Sequence, residues 1–486
     1  MNFKKSLFSY GVADIFSRAI GLITSPITTR MLSMAQYGAV PLLWAVWTPF
    51  SIMQFGGMDY AFPFFKANKE NETNIISVIT TSTIVAYSAI CILWGIFFIV
   101  AFSNRWLMNY AGVCKLELFF FSLGLLPAGF IYWLCYLLRF LNRADSYVKI
   151  TLFGRIAPVV LVIPFLPTIS QENRLILSLG VGWVISIMAL YFALWEIRKI
   201  GIWPFDKQNF SISLSKKMLH YGLFLVPAGA LYSLISIVNR LLIGYFLGAS
   251  SVAILSIGMA IGSIGLMISN WFGLAFDPHL VHWIATGKPS VYMHRLQYLS
   301  IVLSIIFSML AALSCIWSLP IIQFLYPHSY EKSASLVPLL MVVATLSTLS
   351  RIAIATVMIE QTPKYHIILY FISLFINCLV SIILIPRLGV IGGIIGTVAA
   401  EFSILAGWIF IGVIYLGNLK LSWKCPLVSL TASLIFIYLY KPTSIKSFYD
   451  FTLLFMITLA VCLFFLVLII VGLRGNLKVI FHLGWD

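Results

Sequence analysis

The chain has 486 residues, of which 61% are hydrophobic and only 9% are charged, and its mean hydropathy is +1.02. A soluble domain carries about 25% charged residues, so this composition excludes an ordinary water-soluble protein. The net charge of +16 would suggest a nucleic-acid ligand in a soluble protein, but in a membrane protein an excess of Lys and Arg in cytoplasmic loops accounts for it. We therefore expect no nucleic-acid partner.

The apolar residues fall in runs of about 20, the length that an α-helix needs to cross the hydrocarbon core of a bilayer. Both faces of the runs are apolar, which favours helices over the alternating strands of a membrane barrel. The pattern predicts an all-α polytopic membrane protein with about fourteen transmembrane helices. They are expected at 8–30, 39–65, 75–102, 117–139, 149–169, 175–197, 217–246, 251–284, 296–322, 334–360, 365–385, 389–416, 425–440 and 450–473.

The loops between these helices predict the orientation of the chain. With a cytoplasmic N-terminus, more than twice as many Lys and Arg residues fall on the cytoplasmic side as on the other side. Both termini are therefore expected in the cytoplasm. The longest loop, near 198–216, is on the cytoplasmic side, and the outer loops are short. An enzyme acting outside the membrane usually needs a folded outer loop to hold its acceptor, so the loop lengths argue against an enzyme.

A weak internal repeat aligns residues 29–39 with residues 244–254, where in both cases an apolar helix ends in Leu and a short loop leads to the next helix. Transporters often consist of two such repeats. The repeat predicts two lobes of six helices, at 1–200 and 217–418, followed by two accessory helices at 424–474.

Sequence signatures of catalysis are missing: there is no hydrolase elbow, zinc-protease, phosphate-loop or dinucleotide motif. The seven cysteines have no metal-ligand spacing. His279 and His282, three residues apart near a helix end, could bind a metal ion, but two histidines at the membrane–water interface are the simpler interpretation. We expect no catalytic residue, metal or cofactor.

Charged residues inside apolar helices carry the functional information. Such a charge costs about 2.5–3.5 kcal/mol on insertion scales, so it normally faces a cavity or a partner. Arginine binds phosphate oxygens in a bidentate way and stays charged. The intramembrane arginines therefore predict a cavity for a substrate that carries a pyrophosphate. The residues expected to bind this substrate are Arg18, Arg30, Arg155, Arg240 and Arg351.

Four acids are candidates for ion coupling or for structural pairing. Asp14 lies four residues before Arg18 on one helix face, where the two can form an ion pair. Asp59 and Asp277 lie near helix ends and can be interfacial. Glu401 can carry a proton or pair with Arg351, and the sequence leaves both options open.

Several motifs along the chain recur together in one family of membrane proteins. They are Gly21, Pro26, Thr29-Arg30, Leu32-Ser33 and Tyr37-Gly38, then residues 54–61, 221–227 and 243–248, and the glycine-rich stretch 389–400. With these motifs the chain resembles the polysaccharide biosynthesis (O-antigen flippase) proteins of the multidrug/oligosaccharidyl-lipid/polysaccharide exporter superfamily. The family usually has Asp-Arg where this chain has Asn239-Arg240.

The resemblance implies a two-lobed, V-shaped helical bundle with a cationic cavity. Its implied substrate is an oligosaccharide linked to undecaprenyl pyrophosphate, moved by alternating access from the cytoplasmic to the periplasmic leaflet of the bacterial inner membrane. A polysaccharide polymerase and a chain-length regulator are the implied protein partners, beside membrane lipid.

Three other functions compete with this one. A multidrug or cation antiporter of the same superfamily is expected to favour acids over arginines in its cavity. A membrane polymerase, ligase or lipid-linked glycosyltransferase is expected to carry a sizeable outer loop. A flippase for the peptidoglycan precursor handles a similar phosphate ligand, so the sequence separates it poorly.

Overall fold

The structure is a computed structural model that describes residues 16, 19–67, 75–103, 105–141, 143–199, 205–285, 289–357, 363–416, 424–439 and 456–465. Every regular element among these residues is a helix. The chain divides into two compact units, Met1–Ala253 (unit 1) and Ile254–Asp486 (unit 2). The boundary falls inside one long helix.

Unit 1 begins with a helix described over residues 19–31 (α1). Its other helices are α2 (Met34–Met53), α3 (Met58–Ala67), α4 (Ile75–Ser103), α5 (Trp106–Ala111), α6 (Lys115–Phe140), α7 (Ala144–Leu161), α8 (Arg174–Lys199), α9 (Ile212–Leu247) and the first turn of α10 (Ala249–Ala285). Unit 2 takes the rest of α10 and then α11 (Pro289–Leu325), α12 (Val337–Val357), α13 (Pro363–Leu388), α14 (Val390–Leu416), α15 (Lys424–Leu439) and α16 (Met456–Phe465).

Within the described residues, 10 helices are long and apolar enough to cross a membrane. These spans lie at Ile75–Ser103, Lys115–Phe140, Asp145–Thr168, Gln171–Lys199, Gly229–Leu247, Ala249–Ser269, Leu296–Leu325, His328–Ile354, Tyr365–Leu388 and Val390–Val413. The protein is therefore an all-α, multi-pass membrane protein, as the sequence predicted. The count of fourteen stays a prediction.

The predicted helix 39–65 is wrong as one continuous element. Two consecutive glycines, Gly56 and Gly57, adopt positive φ angles of 58° and 77°, and they end α2 and start α3. Residues with a side chain rarely adopt this conformation. The glycines therefore mark a break between two helices, where the hydropathy pattern had run through.

Other helices also begin or end at residues that differ from the predicted ones. The predicted helix 149–169 ends at Leu161, because the prolines of the stretch 163–168 lack the N–H that continues an α-helix, and the chain becomes a short 3-10 helix there. A short helix, α5, lies in a predicted loop and ends at Gly112 with φ +67°. The predicted helix 334–360 starts at Val337, after a 3-10 segment.

Glycines bring α9 close to α2 and α3. A Cβ atom at Gly57 would lie 2.8 Å from the Cα atom of Gly222 and 2.7 Å from the amide nitrogen of Leu223. A Cβ atom at Gly229 would collide with the Tyr60 hydroxyl, and one at Gly244 would lie 2.6 Å from Leu42 Cδ1. Small residues at these points let the helix backbones approach closely, which is how membrane helices without a hydrophobic driving force pack.

Hydrogen bonds tie together the turns at one end of unit 1. Arg174 donates from Nη1 to the Met31 carbonyl at 2.6 Å and from Nε to the Ile169 carbonyl at 3.1 Å. Gln36, which forms a capping box with Ser33, donates from Nε2 to the Gln171 carbonyl at 2.9 Å. The predicted topology places these turns on one side of the membrane, and their contact agrees with that alternation.

Replacement of Arg174 with Gln should lower the stability of the protein. The change removes a charged donor from two carbonyls, and a hydrogen bond to a charged group contributes about 1.5–3 kcal/mol. We expect a clear fall in the temperature of thermal unfolding in detergent. Arg105→Gln, which changes an exposed Arg, is the matched control and should leave that temperature unchanged. Equal unfolding temperatures for Arg174→Gln and the wild type would contradict the role given to this side chain.

The core of unit 2 forms around α12. From Val337 to Ser350 almost every residue of this helix is buried, and the helix packs against α11 and α14. Polar residues share this interior: Thr348 donates from Oγ1 to Ser269 Oγ of α10 at 2.8 Å. A second pair joins α13 to α14, where Ser373 Oγ lies 2.7 Å from Ser403 Oγ. The interior of unit 2 is therefore apolar in composition but contains bonded hydroxyl pairs.

Candidate functional site

The described structure does not cover every predicted site residue. Asp14 and Arg18 lie outside the described residues, and the side chain of Asp277 lies outside the described part as well. The remaining candidates divide between the two units. Unit 1 holds Arg30, Arg155, Arg240 and Asp59, and unit 2 holds Arg351 and Glu401.

Two arginines of unit 1 are exposed. Arg30 follows Thr29 near the end of α1, and the buried Thr29 hydroxyl donates to the Pro26 carbonyl at 3.0 Å. Arg155 lies in α7, inside the apolar span Asp145–Thr168. Since charged side chains within spans almost always face protein or a water-filled space, an exposed Arg155 marks a face of α7 that is suited to water rather than to lipid tails.

Arg240 lies in the last third of α9 and is half-buried. Its neighbour Asn239 is 4% exposed. Close packing fixes this part of the helix, because the Tyr110 hydroxyl of α5 donates to the carbonyl of Leu241 and Leu42 of α2 covers Gly244. The sequence therefore places a permanent cation inside the apolar span Gly229–Leu247, on a rigid part of α9.

Asp59 lies in the first turn of α3, directly after the glycine break. Its carboxylate oxygen Oδ1 is buried and has no hydrogen-bond partner among the described residues. The Tyr136 hydroxyl of α6 donates to the Asp59 backbone carbonyl. An acid at a helix N-terminus is favourably placed relative to the helix dipole, which helps to keep this carboxylate inside the protein.

In unit 2, Glu401 of α14 and Arg351 of α12 lie on two helices that pack against each other. The Glu401 side chain is buried, with 6% of the residue exposed, and Arg351 is half-buried. The two roles that the sequence left open for Glu401, carrying a proton and pairing with Arg351, both stay predictions.

Sequence reasoning missed the buried polar residues between α13 and α14. Asn377 and Ser381 are fully buried, and Ser381 donates from Oγ to Asn377 Oδ1 at 3.1 Å. A Cβ atom at Gly396 would lie 2.7 Å from Asn377 Oδ1, so the glycine makes room for this pair. The i, i+4 spacing of Asn377 and Ser381 was the available signal, but neutral residues in an apolar run attract little notice.

No group of three His, Cys, Asp or Glu residues in the described part of the chain lies close enough together to hold a metal ion. The charged candidate residues of the described chain instead lie on separate helices. Such an arrangement suits the binding of an anion or the transfer of a proton, since arginine is a permanent donor and a buried carboxylate can change its charge.

Comparison with known proteins gives a family and a fold. The profile of one family, described as Polysaccharide biosynthesis protein, matches residues 3–281. A comparison with curated protein sequences gives no match.

Three solved structures share the fold at low sequence identity. The lipid II flippase MurJ in an inward closed conformation has 14% identity and a TM-score of 0.65, covering 95% of this chain and 98% of that one. An inward-facing MATE family multidrug resistance transporter of the MOP superfamily has 15% identity and a TM-score of 0.59, covering 83% and 95%. The Vibrio cholerae MATE transporter VcmN in its bent form has 11% identity and a TM-score of 0.52, covering 89% and 99%.

At these identities the structural likeness establishes the fold, and the profile establishes the family, because it matches more than half of the chain. The sequence motifs had indicated the same family on independent grounds. This chain belongs to the family of polysaccharide biosynthesis proteins.

Proposed function

We propose that this protein is a flippase for a lipid-linked oligosaccharide. Its substrate is a repeat unit of O-antigen or of another surface polysaccharide, linked to undecaprenyl pyrophosphate. The protein moves this substrate by alternating access from the cytoplasmic to the periplasmic leaflet of the bacterial inner membrane. The observation that carries the proposal is the family match over residues 3–281, and the shared fold with a lipid II flippase supports it.

The chemistry of the intramembrane charges supports an anionic substrate. A glycan and a pyrophosphate cannot cross lipid unaided, because polar groups without partners are costly there. Arg155 and Arg240 lie inside apolar spans of unit 1, and Arg351 lies inside one of unit 2. A cavity open to the side can hold the headgroup on such arginines while the lipid tail remains in the bilayer.

The proposal includes the predicted organisation. Lobes at 1–200 and 217–418 alternate in exposing the site, and the helices at 424–474 are accessory. Both termini lie in the cytoplasm, as the distribution of Lys and Arg suggests. A polysaccharide polymerase and a chain-length regulator would receive the product on the periplasmic side.

Three alternative functions have to be distinguished from the proposed one by experiment. MATE transporters share the fold, so a cation antiporter is the first rival; the arginine excess speaks against it, because a cation substrate is better served by acids. The fold shared with MurJ makes a peptidoglycan-precursor flippase the second rival. An enzyme is the third, and the transporter fold counts against it.

Deletion of the gene in its native host tests the proposal. We expect the surface polysaccharide to be lost and repeat units to accumulate on undecaprenyl pyrophosphate in the cytoplasmic leaflet. The lipid-linked intermediates are extracted and measured by mass spectrometry, and their sidedness is measured with a periplasmic glycosidase or ligase. Expression of the wild-type gene from a plasmid is the control and should restore the polymer.

Each other outcome identifies a rival. A normal polysaccharide in the deletion strain, without a redundant transporter, would exclude the flippase and favour the antiporter. Repeat units that reach the outer leaflet but stay unpolymerised would indicate the enzyme. Accumulation of peptidoglycan precursor would indicate the MurJ-like function.

A further inference from the structure

Two neighbouring helix ends of unit 1, those of α7 and α8, are joined by a hydrogen-bonded contact. Ser146, in the first turn of α7, donates from Oγ to Glu196 Oε2 of α8 at 2.8 Å. Glu196 also accepts a hydrogen bond from Lys199 Nζ at 3.2 Å, and only 4% of this acid is exposed. We call these three residues the α7–α8 junction. Because the buried carboxylate has partners on both helices, it fixes the two helix ends relative to each other.

Two further cations flank the junction on α7. Arg143 is the N-cap residue of α7, one turn before Ser146, and Lys149 lies one turn after it. Residues three apart are neighbours on a helix surface, so both cations lie beside the face that meets α8. Both residues are exposed. Since Lys199 forms a salt bridge with Glu196, the buried acid is already neutralised and does not cancel the charge of the two α7 cations.

The surroundings of the junction carry an excess of positive charge. Asp145, in the first turn of α7, is an exposed acid close to the junction. Arg143, Lys149 and Arg198, which is exposed near the end of α8, outnumber it. A local excess of cations attracts an anion.

Packing holds this charged region in place. Ile150 of α7 lies in one buried apolar cluster with Ala193 and Ile197 of α8 and with Leu138 of α6. Ile150 directly follows Lys149, so the backbone that carries this cation is anchored in the core. A ligand that binds to groups already held in place loses less of its binding energy to ordering them.

The depth of the junction along the helices is that of the lipid headgroups. The apolar span Asp145–Thr168 begins beside Arg143, and the span Gln171–Lys199 ends at Lys199. Trp195 is 47% exposed one turn inside this end, and the Lys199 ammonium lies over its ring, 3.1 Å from the centroid. Tryptophan is typical of the membrane–water interface. The anion that a membrane offers at this depth is the phosphate of a phospholipid.

We propose that Arg143 and Lys149, beside the α7–α8 junction, bind the phosphodiester headgroup of an anionic phospholipid, phosphatidylglycerol, in the cytoplasmic leaflet. Arginine can contact two phosphate oxygens at once, and lysine adds a point charge. A zwitterionic headgroup carries an ammonium of its own, so it gains less from the excess of cations. The site does not depend on the substrate that is transported, and it therefore goes beyond the proposed function.

The general excess of basic residues in cytoplasmic loops makes a different prediction. That excess orients the chain in the membrane, and it attracts anionic lipid wherever a base is exposed. Lys216 and Lys217, near the start of α9, are exposed and lie on the same predicted side of the membrane. If only the general excess acted, they would contribute as much as Arg143 and Lys149. The pair on α9 is therefore the matched control.

Native mass spectrometry of the purified full-length protein tests the site. The protein is titrated with phosphatidylglycerol or with phosphatidylethanolamine of the same acyl chains, and the affinity for the first bound lipid is measured. For the wild type we expect phosphatidylglycerol to bind about tenfold tighter, since each basic residue near an anionic membrane surface adds a few-fold to the affinity. Arg143→Gln/Lys149→Gln should lose most of this preference, and Lys216→Gln/Lys217→Gln should keep it.

A second measurement uses the wild type alone and does not need any variant to fold. Lysines are acetylated with an amine-reactive reagent in nanodiscs of either lipid, and the modified peptides are quantified. Lys149 should react several-fold more slowly in phosphatidylglycerol, whereas Lys216 and Lys217 should react equally in both lipids.

Three results would overturn the proposal and leave the flippase standing. The first is an equal loss of preference in the two double variants, which would indicate general electrostatics. The second is a wild type without a preference, or with the same Lys149 reactivity in both lipids. The third is displacement of phosphatidylglycerol by farnesyl pyrophosphate, which would assign the region to an isoprenoid pyrophosphate. The proposed function itself is tested by the deletion strain and not by these measurements.

Discussion

The substitution Gly57→Ala should strongly destabilise the folded protein. The residue has a φ of +77°, a conformation that costs an ordinary residue about 1–2 kcal/mol. The added Cβ atom would also collide with the backbone of Gly222, which has no side chain to move aside. Overpacking of this kind costs typically about 1–3 kcal/mol, and the two terms together are a large fraction of the roughly 5–15 kcal/mol that holds a typical native protein together.

The measurement is the amount of monodisperse protein after detergent extraction, followed by thermal unfolding. Gly112→Ala is the matched control, because Gly112 has a φ of +67° but no atom within 4 Å of the point that an added Cβ would occupy. We expect the control to lose only the smaller backbone contribution. If Gly57→Ala and Gly112→Ala are equally stable, the contact with Gly222 contributes nothing and the account of the α3–α9 packing is wrong.

Arg240→Ala should abolish the ability of the gene to restore surface polysaccharide in the deletion strain, at a normal protein level. The change removes a permanent cation from an apolar span, where a hydrogen bond to a charged group contributes about 1.5–3 kcal/mol. The loss should exceed that caused by a substitution that only changes packing, because a neutral side chain at position 240 cannot supply the missing charge.

Arg240→Lys separates charge from geometry. Lysine keeps the positive charge but loses the bidentate fork, so we expect partial restoration of the polymer. Arg198→Ala, at an exposed position at the end of α8, should restore it fully. Full restoration by Arg240→Ala would remove this residue from the substrate path, and a fall in protein level would make its role structural.

Much of the fold follows from composition and hydropathy alone. A run of apolar residues long enough to span a bilayer has little choice but to become a helix, so the helices at 75–103, 115–140 and 174–199 match their predicted bounds closely. The errors fall where a local signal competes with hydropathy. The run through residues 39–65 stays apolar across Gly56 and Gly57, and the positive φ angles of these two glycines break the helix there.

The site is less predictable than the fold. Hydropathy identifies the charged residues that lie inside apolar helices. Such a charge is costly unless it faces a partner or water, so these residues stand out in the sequence. Hydropathy does not show which helices meet, so the sequence could not place α12 beside α14, the helices that carry Arg351 and Glu401. The contact between the Tyr136 hydroxyl and the Asp59 carbonyl gave no sequence signal, since it joins residues of α6 and α3 through a backbone atom.

The contact between Gly57 and Gly222 has a consequence for genetics. In most overpacked mutants a second substitution nearby restores the fold by removing atoms from a neighbouring side chain. Here the obstacle is the main chain of Gly222, which is already the smallest residue. A selection for suppressors of Gly57→Ala should therefore return true revertants at position 57, and compensating changes at position 222 should be missing from the collection.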